Sequence, residues 1–258
     1  FQANQLTQYI RDSVFLPLGM FSSNPFIGNV VTGILIAILV AGVIFGGIKR
    51  IGLVAGRIVP IMVLIYLLGG LGILIKNYDK LGSIFNLIIT DAFTGNAVVG
   101  GIVGEVIRQG IRRAVFSNEA GLGTEVMAHG AAKTKEPVRE GLVAMIGPFI
   151  DTILVCSITA FAILVSGVWN DPTLNGVSMT AKAFSNELGF LGEFILFFSV
   201  FTFSVTTMFG QSYYGAKCTG FLFGSRWKVN YNWFYVLSTI FGATVSISIV
   251  INLIDGMY

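Results

Sequence analysis

The chain has 258 residues, of which 54% are hydrophobic and only 11% charged, with a net charge of +3. Soluble domains carry roughly a quarter charged residues and need a polar shell, so this composition and the strongly positive mean hydropathy exclude an ordinary water-soluble fold. The bases are spread along separate loops instead of gathered into one patch, which argues against a nucleic-acid partner and for membrane lipid as the solvent.

Residues 1–26 read as an outer segment, with Pro17, Asn24 and Pro25 as breakers. FQANQLTQYIRD at its start resembles the outer end of a helix already under way. A helix needs about 20 apolar residues to cross a hydrocarbon core. Six runs reach that length: residues 27–48, 58–75, 84–107, 142–168, 193–223 and 235–254. Helices are expected because every backbone amide in lipid needs an internal partner. The predicted fold class is all-α, a polytopic membrane helical bundle forming a single transmembrane domain over residues 1–258. Flanking helices are expected on both sides, which makes the chain a fragment.

Charge sets the orientation. Lys49, Arg50 and Arg57 fall in one loop, Arg108, Arg112, Arg113, Lys133, Lys135 and Arg139 in a second, and Lys217, Arg226 and Lys228 in a third. These loops lie on one side and hold most of the 16 Lys and Arg, so they are predicted to be cytoplasmic. The expected location is the cell inner membrane, multi-pass.

Within the spans, the first carries Gly42 and Gly46 at a spacing suited to close helix contact. The third holds Asp91, Thr94, Gly95, Asn96, Gly100, Gly101, Gly104 and Glu105. An Asp at helix centre costs on the order of 3 kcal/mol on insertion scales, so this span is predicted to be interrupted near Phe93–Asn96 over a cavity. Half-helix ends there suit a zwitterion, with carbonyls for the ammonium and amides for the carboxylate; a kinked packing helix is the alternative. A short cytoplasmic helix is expected over residues 123–132, with Ser117 as a helix N-cap. The fourth span carries Pro148 and Asp151, the latter either functional or paired with a polar neighbour. Residues 169–189 are expected to form a short outer helix.

The fifth span is rich in hydroxyls. The Phe203 carbonyl with the Thr206 and Thr207 side chains forms a candidate half-site for sodium, which takes neutral oxygens. The alternative is that these hydroxyls bond their own helix carbonyls. Span six reads as an ordinary continuous helix. Cys156 and Cys218 signal neither a disulfide nor a metal site, and the single histidine, His129, sits in a cytoplasmic loop. No nucleophile-elbow pattern surrounds Ser117, so a hydrolase is unsupported.

The segments FSNEAGLG (116–123), AHGAAKT (128–134), PVREGL (137–142), FIDTILVC (149–156) and SYYGAKC (212–218), with QAN at Gln2–Asn4, occur in order along the chain. Together they resemble the alanine/glycine:cation symporters, the sodium:alanine symporter family. Departures from the family pattern are Gln211, where a Trp is usual, and Ala216-Lys217, where an acidic residue is usual. The resemblance implies a partial LeuT-type inverted-repeat transporter fold, with the six spans as its fourth to ninth core helices. It implies that Gln2, Phe93, Thr94, Gly95 and Asn96 lie near the substrate, and that Phe203, Thr206 and Thr207 bind sodium. The implied activity is sodium-coupled import of alanine or glycine by alternating access, with no organic cofactor and no enzymatic step. A non-coupled channel or a non-transporting helical subunit is the alternative. A channel calls for a filter ring or a polar stripe along a whole helix, whereas polar residues here concentrate at mid-depth. A membrane-embedded enzyme is the third possibility, and no reactive cluster points to it.

Overall fold

The computed structural model describes residues 1–93, 102–119 and 123–256, and these are helical with no strand among them. Four of the described helices are long and apolar enough to cross a membrane: Pro25–Ile44, Gly47–Lys76, Pro137–Ser166 and Phe190–Phe223. Large apolar side chains such as Phe190, Phe194, Phe221 and Phe234 are exposed, as lipid-facing surfaces require. The described chain is therefore a membrane helical bundle.

The chain divides into two compact units. The first comprises Phe1–Val63, Gly176–Ser178 and Leu196–Tyr258. It opens with α1 (Gln2–Ile10), which a single π-helical turn, Arg11–Phe15, prolongs. Residues 1–26 are thus not all an exposed outer segment. Ala3, Leu6, Thr7 and Tyr9 are buried, because α1 is short but apolar on the face turned to the core. α2 (Pro25–Ile44) starts at a proline in the first helical turn, where the missing N–H costs nothing. α10 (Phe190–Phe223) and α11 (Trp227–Thr244) follow one another through a turn at Gly224, whose φ of +90° suits glycine.

α2 packs most extensively against α11. The close approach is made at Gly33, where a Cβ would come within 2.9 Å of the Ala243 Cβ. The expected pair, Gly42 and Gly46, does not do this. Gly42 faces open space, and the nearest atoms to Gly46 belong to the side chain of Arg50. In the same unit a Cβ on Gly215 would overlap the Tyr231 hydroxyl, so the SYYGAKC segment needs its glycine for the α10–α11 contact.

The expected sixth span is not one helix. α11 ends at Thr244, Val245 is extended, and α12 (Ile247–Asp255) begins anew. Apolar content alone predicts a span of that length, but it carries no information about a backbone break that a distant side chain satisfies.

The second unit comprises Leu64–Asn175 and Met179–Ile195. α3 (Gly47–Lys76) enters it from the first unit and carries Pro60 in its interior. α4 (Tyr78–Phe93) follows, and the next described helix, α5, spans Ile102–Asn118. The expected interruption at Phe93–Asn96 falls on residues beyond Phe93 that lie outside the described ones. α6 (Glu125–His129) is the expected short loop helix, and α9 (Gly176–Leu188) the expected outer one.

α7 (Pro137–Pro148) continues as a π-helix over Phe149–Cys156 and then as α8 (Ser157–Ser166). Pro148 explains the change of register. It has no N–H for the normal helical bond, and a switch to the wider π spacing accommodates the lost partner. Gly70 on α3 lies against Ile158, where a Cβ would overlap the isoleucine, and Tyr66 stacks on Phe184 with ring centroids 5.4 Å apart.

Candidate functional site

In the first unit, polar side chains are buried where apolar helices would be expected to meet only through hydrocarbon. Asn4, Gln5 and Thr7 on α1 and Thr202, Ser204 and Ser212 on α10 are all buried. Around them Ala3, Leu6, Val40, Val205, Met208 and Phe209 form one apolar core. Burying such groups costs several kcal/mol each unless they are hydrogen-bonded. Asn4 answers that demand by donating to the carbonyls of Val245 (2.6 Å) and Gly242 (3.1 Å) at the α11–α12 break. Thr7 Oγ1 is buried and has no hydrogen-bond partner among the described residues.

The predicted sodium ligands lie on α10, beside this core. Thr206 Oγ1 donates to the Thr202 carbonyl at 2.8 Å and stands 3.2 Å from the Phe203 carbonyl. The hydroxyl therefore makes the local bond of the alternative reading, while its lone pairs stay available. The Phe203 side chain is exposed, Thr206 and Thr207 are half-buried, and the space beside Gly210 is open. This face of α10 is an accessible set of oxygens.

Gln2 opens α1 and is half-buried. Tyr9 packs on Phe197 with ring centroids 5.9 Å apart, and Ala3 and Leu6 share the core of Val205 and Phe209. Both helices therefore contribute side chains to one core. Phe93 closes α4 in the second unit. Thr94, Gly95 and Asn96 lie outside the described residues.

Sequence reasoning missed two features of the second unit. Ser117 does not start a helix; it lies in the last turn of α5, and Glu119 follows with a left-handed φ of 55°. Its hydroxyl donates to Asp151 Oδ2 at 2.5 Å, and Asn118 Nδ2 donates to Thr152 Oγ1 at 3.1 Å. The start of the FSNEAGLG segment thus meets the π-helical part of FIDTILVC. The spacing of two segments on different helices gives no sign of this. Second, His129 is held by two acids, with Nδ1 at 2.7 Å from Glu140 and Nε2 at 3.4 Å from Glu125. The pair fastens α6 to α7 beside a cavity of about 440 Å³ that Lys135 and Ala144 also line. No cluster of three or more metal-ligating side chains occurs among the described residues, and Cys156 and Cys218 are not joined in a disulfide.

The sodium:alanine symporter family matches the chain over residues 1–258. The sodium/alanine symporter AgcS of Methanococcus maripaludis is 41% identical over 92% of this chain and 52% of its own length. A transporter of Haemophilus influenzae named only as uncharacterized is 36% identical over 99% of this chain and 56% of its own. The amino-acid carrier protein AlsT of Bacillus subtilis is 32% identical over 89% of the chain and 49% of its own length. The chain spans about half the length of the curated relatives it matches. With a match across all 258 residues and relatives that are transporters, the chain belongs to the sodium:alanine symporter family.

Proposed function

We propose that the protein carrying this chain is a sodium-coupled symporter that imports a small neutral amino acid, alanine or glycine, across the cell inner membrane. Its fold in this proposal is the LeuT-type inverted-repeat bundle, of which residues 1–258 form part of a single transmembrane domain. The observation that carries the reading is the buried polar layer of α1 and α10 at the centre of an apolar bundle. Polar groups inside an apolar membrane bundle suit the passage of an ion and a zwitterion across the bilayer.

In this mechanism sodium sits on the Phe203 carbonyl and the Thr206 and Thr207 hydroxyls. These are neutral ligands, so the ion is dehydrated without an opposing full charge being buried. The amino acid lies against Gln2 and the segment from Phe93 through Thr94, Gly95 and Asn96. The Gln2 amide offers both a donor and an acceptor to the zwitterion. Each ligand favours the occluded state that the other also favours, and a coupling of about 1–3 kcal/mol makes the pair travel together. No covalent step and no organic cofactor take part.

Support comes from family membership and from AgcS, whose name records sodium and alanine. The direct test is calorimetric titration of the full-length protein with alanine and with glycine, in sodium and in choline buffer. Tighter binding in sodium is expected. Affinities that do not differ between the two salts would remove the coupling.

A further inference from the structure

We propose that the end of the first unit where α2 stops against α11 binds the headgroup of an anionic phospholipid, held by Lys49, Arg50 and Arg226 beside the rings of Phe45 and Trp233. The proposal is independent of the sodium-coupled reading, because it concerns the lipid-facing surface and not the path of ion or amino acid.

Geometry is the first observation. α2 and α11 run antiparallel. Gly33 lies against Ala243 toward one end of the pair, and the Phe45 and Trp233 rings are 4.8 Å apart toward the other. α2 stops at Ile44, whereas α11 reaches past that contact to Trp227, about 9 Å further along its axis. Val229 lies seven residues before Val236, which shares a core with Ile36, Val40 and Ile44 of α2, so the two valines are on one face of α11. Beyond the end of α2 that face is open: Val229 is 54% exposed, against 8% for Val236. Arg226 and Asn230 beside it are exposed too. The first turns of α11 and the α2–α3 turn thus bound a ledge.

Charge is the second. Lys49 and Arg50 follow the turn at Gly47 and are exposed. Arg50 Nη1 donates to the Gly42 carbonyl at 2.8 Å, which folds this side chain back along the last turn of α2. Lys228 lies with its stem across Gly220 of α10, near the same end. The acids of this unit are Asp12 and Asp255. Asp12 is engaged by Arg11 and Ser178, and Asp255 closes α12, past the far end of α11. No ion pair to Lys49, Arg50 or Arg226 occurs among the described residues. In residues 105–140 of the second unit, by contrast, Glu and Lys or Arg are interspersed in nearly equal number. Membrane orientation asks only for bases in a loop, and both units meet it. The uncompensated cluster belongs to the first.

The third observation fixes the kind of ligand. From Trp233 a ridge continues along α11 through Leu237 and Phe241, at steps of four residues, 64% and 66% exposed. A ligand that fits has a compact negative head and a long apolar tail. The phosphodiester of an anionic phospholipid offers paired acceptor oxygens to a guanidinium and a negative charge to Lys49. Tryptophan rings favour headgroup level, and the acyl chain lies along the ridge. A zwitterionic phospholipid brings its own cation to the bases and gains less. Free phosphate has no tail for the ridge.

The experiment titrates the full-length protein in detergent with fluorescently labelled phosphatidylglycerol and reads bound label by anisotropy. Unlabelled phosphatidylglycerol, phosphatidylcholine and inorganic phosphate are the competitors. Phosphatidylglycerol is expected to displace the label about tenfold better than phosphatidylcholine, and phosphate to leave it bound. Lys49→Gln and Arg226→Gln are each expected to weaken binding about fivefold, the usual contribution of one base to anionic-lipid attraction. Lys133→Gln and Arg139→Gln remove the same charge from the second unit and are expected to leave the affinity unchanged. Losses as large in that control pair overturn the proposal, because charge alone would then explain binding. Phosphatidylcholine that competes as well as phosphatidylglycerol, or phosphate that displaces the label at the same concentration, overturns it too. If one of Lys49→Gln and Arg226→Gln fails to fold, an unchanged affinity in the other is enough to overturn it.

Discussion

Asn4 closes a helix that is not its own. Its side-chain amide donates to Val245 and Gly242, the carbonyls left open where α11 stops and α12 begins. Carbonyls left open by a helix break in an apolar bundle have few other sources of hydrogen bonds. Asn4→Leu is expected to destabilise the protein by about 1–3 kcal/mol, the cost of leaving partly buried acceptors unpaired. Asn4→Asp is expected to do worse, because an acceptor replaces the donor. Thermal unfolding in detergent measures both, and midpoints equal to the parent would contradict this role for Asn4.

Gly215 and Tyr231 make a second prediction. A methyl at Gly215 overlaps the Tyr231 hydroxyl, so Gly215→Ala is expected to cost about 1–3 kcal/mol. Tyr231→Leu frees the space. In the double variant the two losses should therefore sum to less than their separate values, a coupling that a double-mutant cycle reads. Additive losses would mean that the two residues do not meet.

For the α10 hydroxyls the expected outcome is functional. Thr206 already satisfies its proton on the Thr202 carbonyl, so Thr206→Val removes an oxygen without leaving a strained donor. Thr206→Val and Thr207→Val should raise the sodium concentration for half-maximal uptake by about tenfold, with a much smaller change in the unfolding midpoint. Sodium curves superimposable on the parent would exclude both residues as ligands.

His129 offers a local test. α6 has no buried residue, and His129 links it to Glu140 on α7. Loss of a hydrogen bond worth about 1 kcal/mol multiplies local opening roughly fivefold. His129→Ala should therefore speed backbone hydrogen exchange over Glu125–His129 by that factor. No change in exchange would mean that the loop is held by other contacts.

The sequence carried the class of fold well and the details unevenly. Apolar runs were enough to find the spans that the structure bears out, because length and hydropathy act locally. The α11–α12 break was hidden, since its explanation lies in Asn4, far away in the chain. Gly42 and Gly46 looked like a contact pair, yet Gly33 makes the contact, because many glycines fit the same spacing and only the partner helix decides among them. Ser117 followed the pattern of a helix start, but its hydroxyl answers to Asp151 across two helices. On the candidate site, the hydroxyls of α10 stand out in the sequence and remain a proposal, whereas the burial of Thr7 needed the packing of α1.

The most direct test of the transport account is uptake of labelled alanine by the full-length protein in proteoliposomes, driven by an inward sodium gradient and compared with choline. Accumulation above the outside concentration, collapsed by a sodium ionophore, is the predicted result. Equal uptake in choline, unaffected by the ionophore, would contradict it.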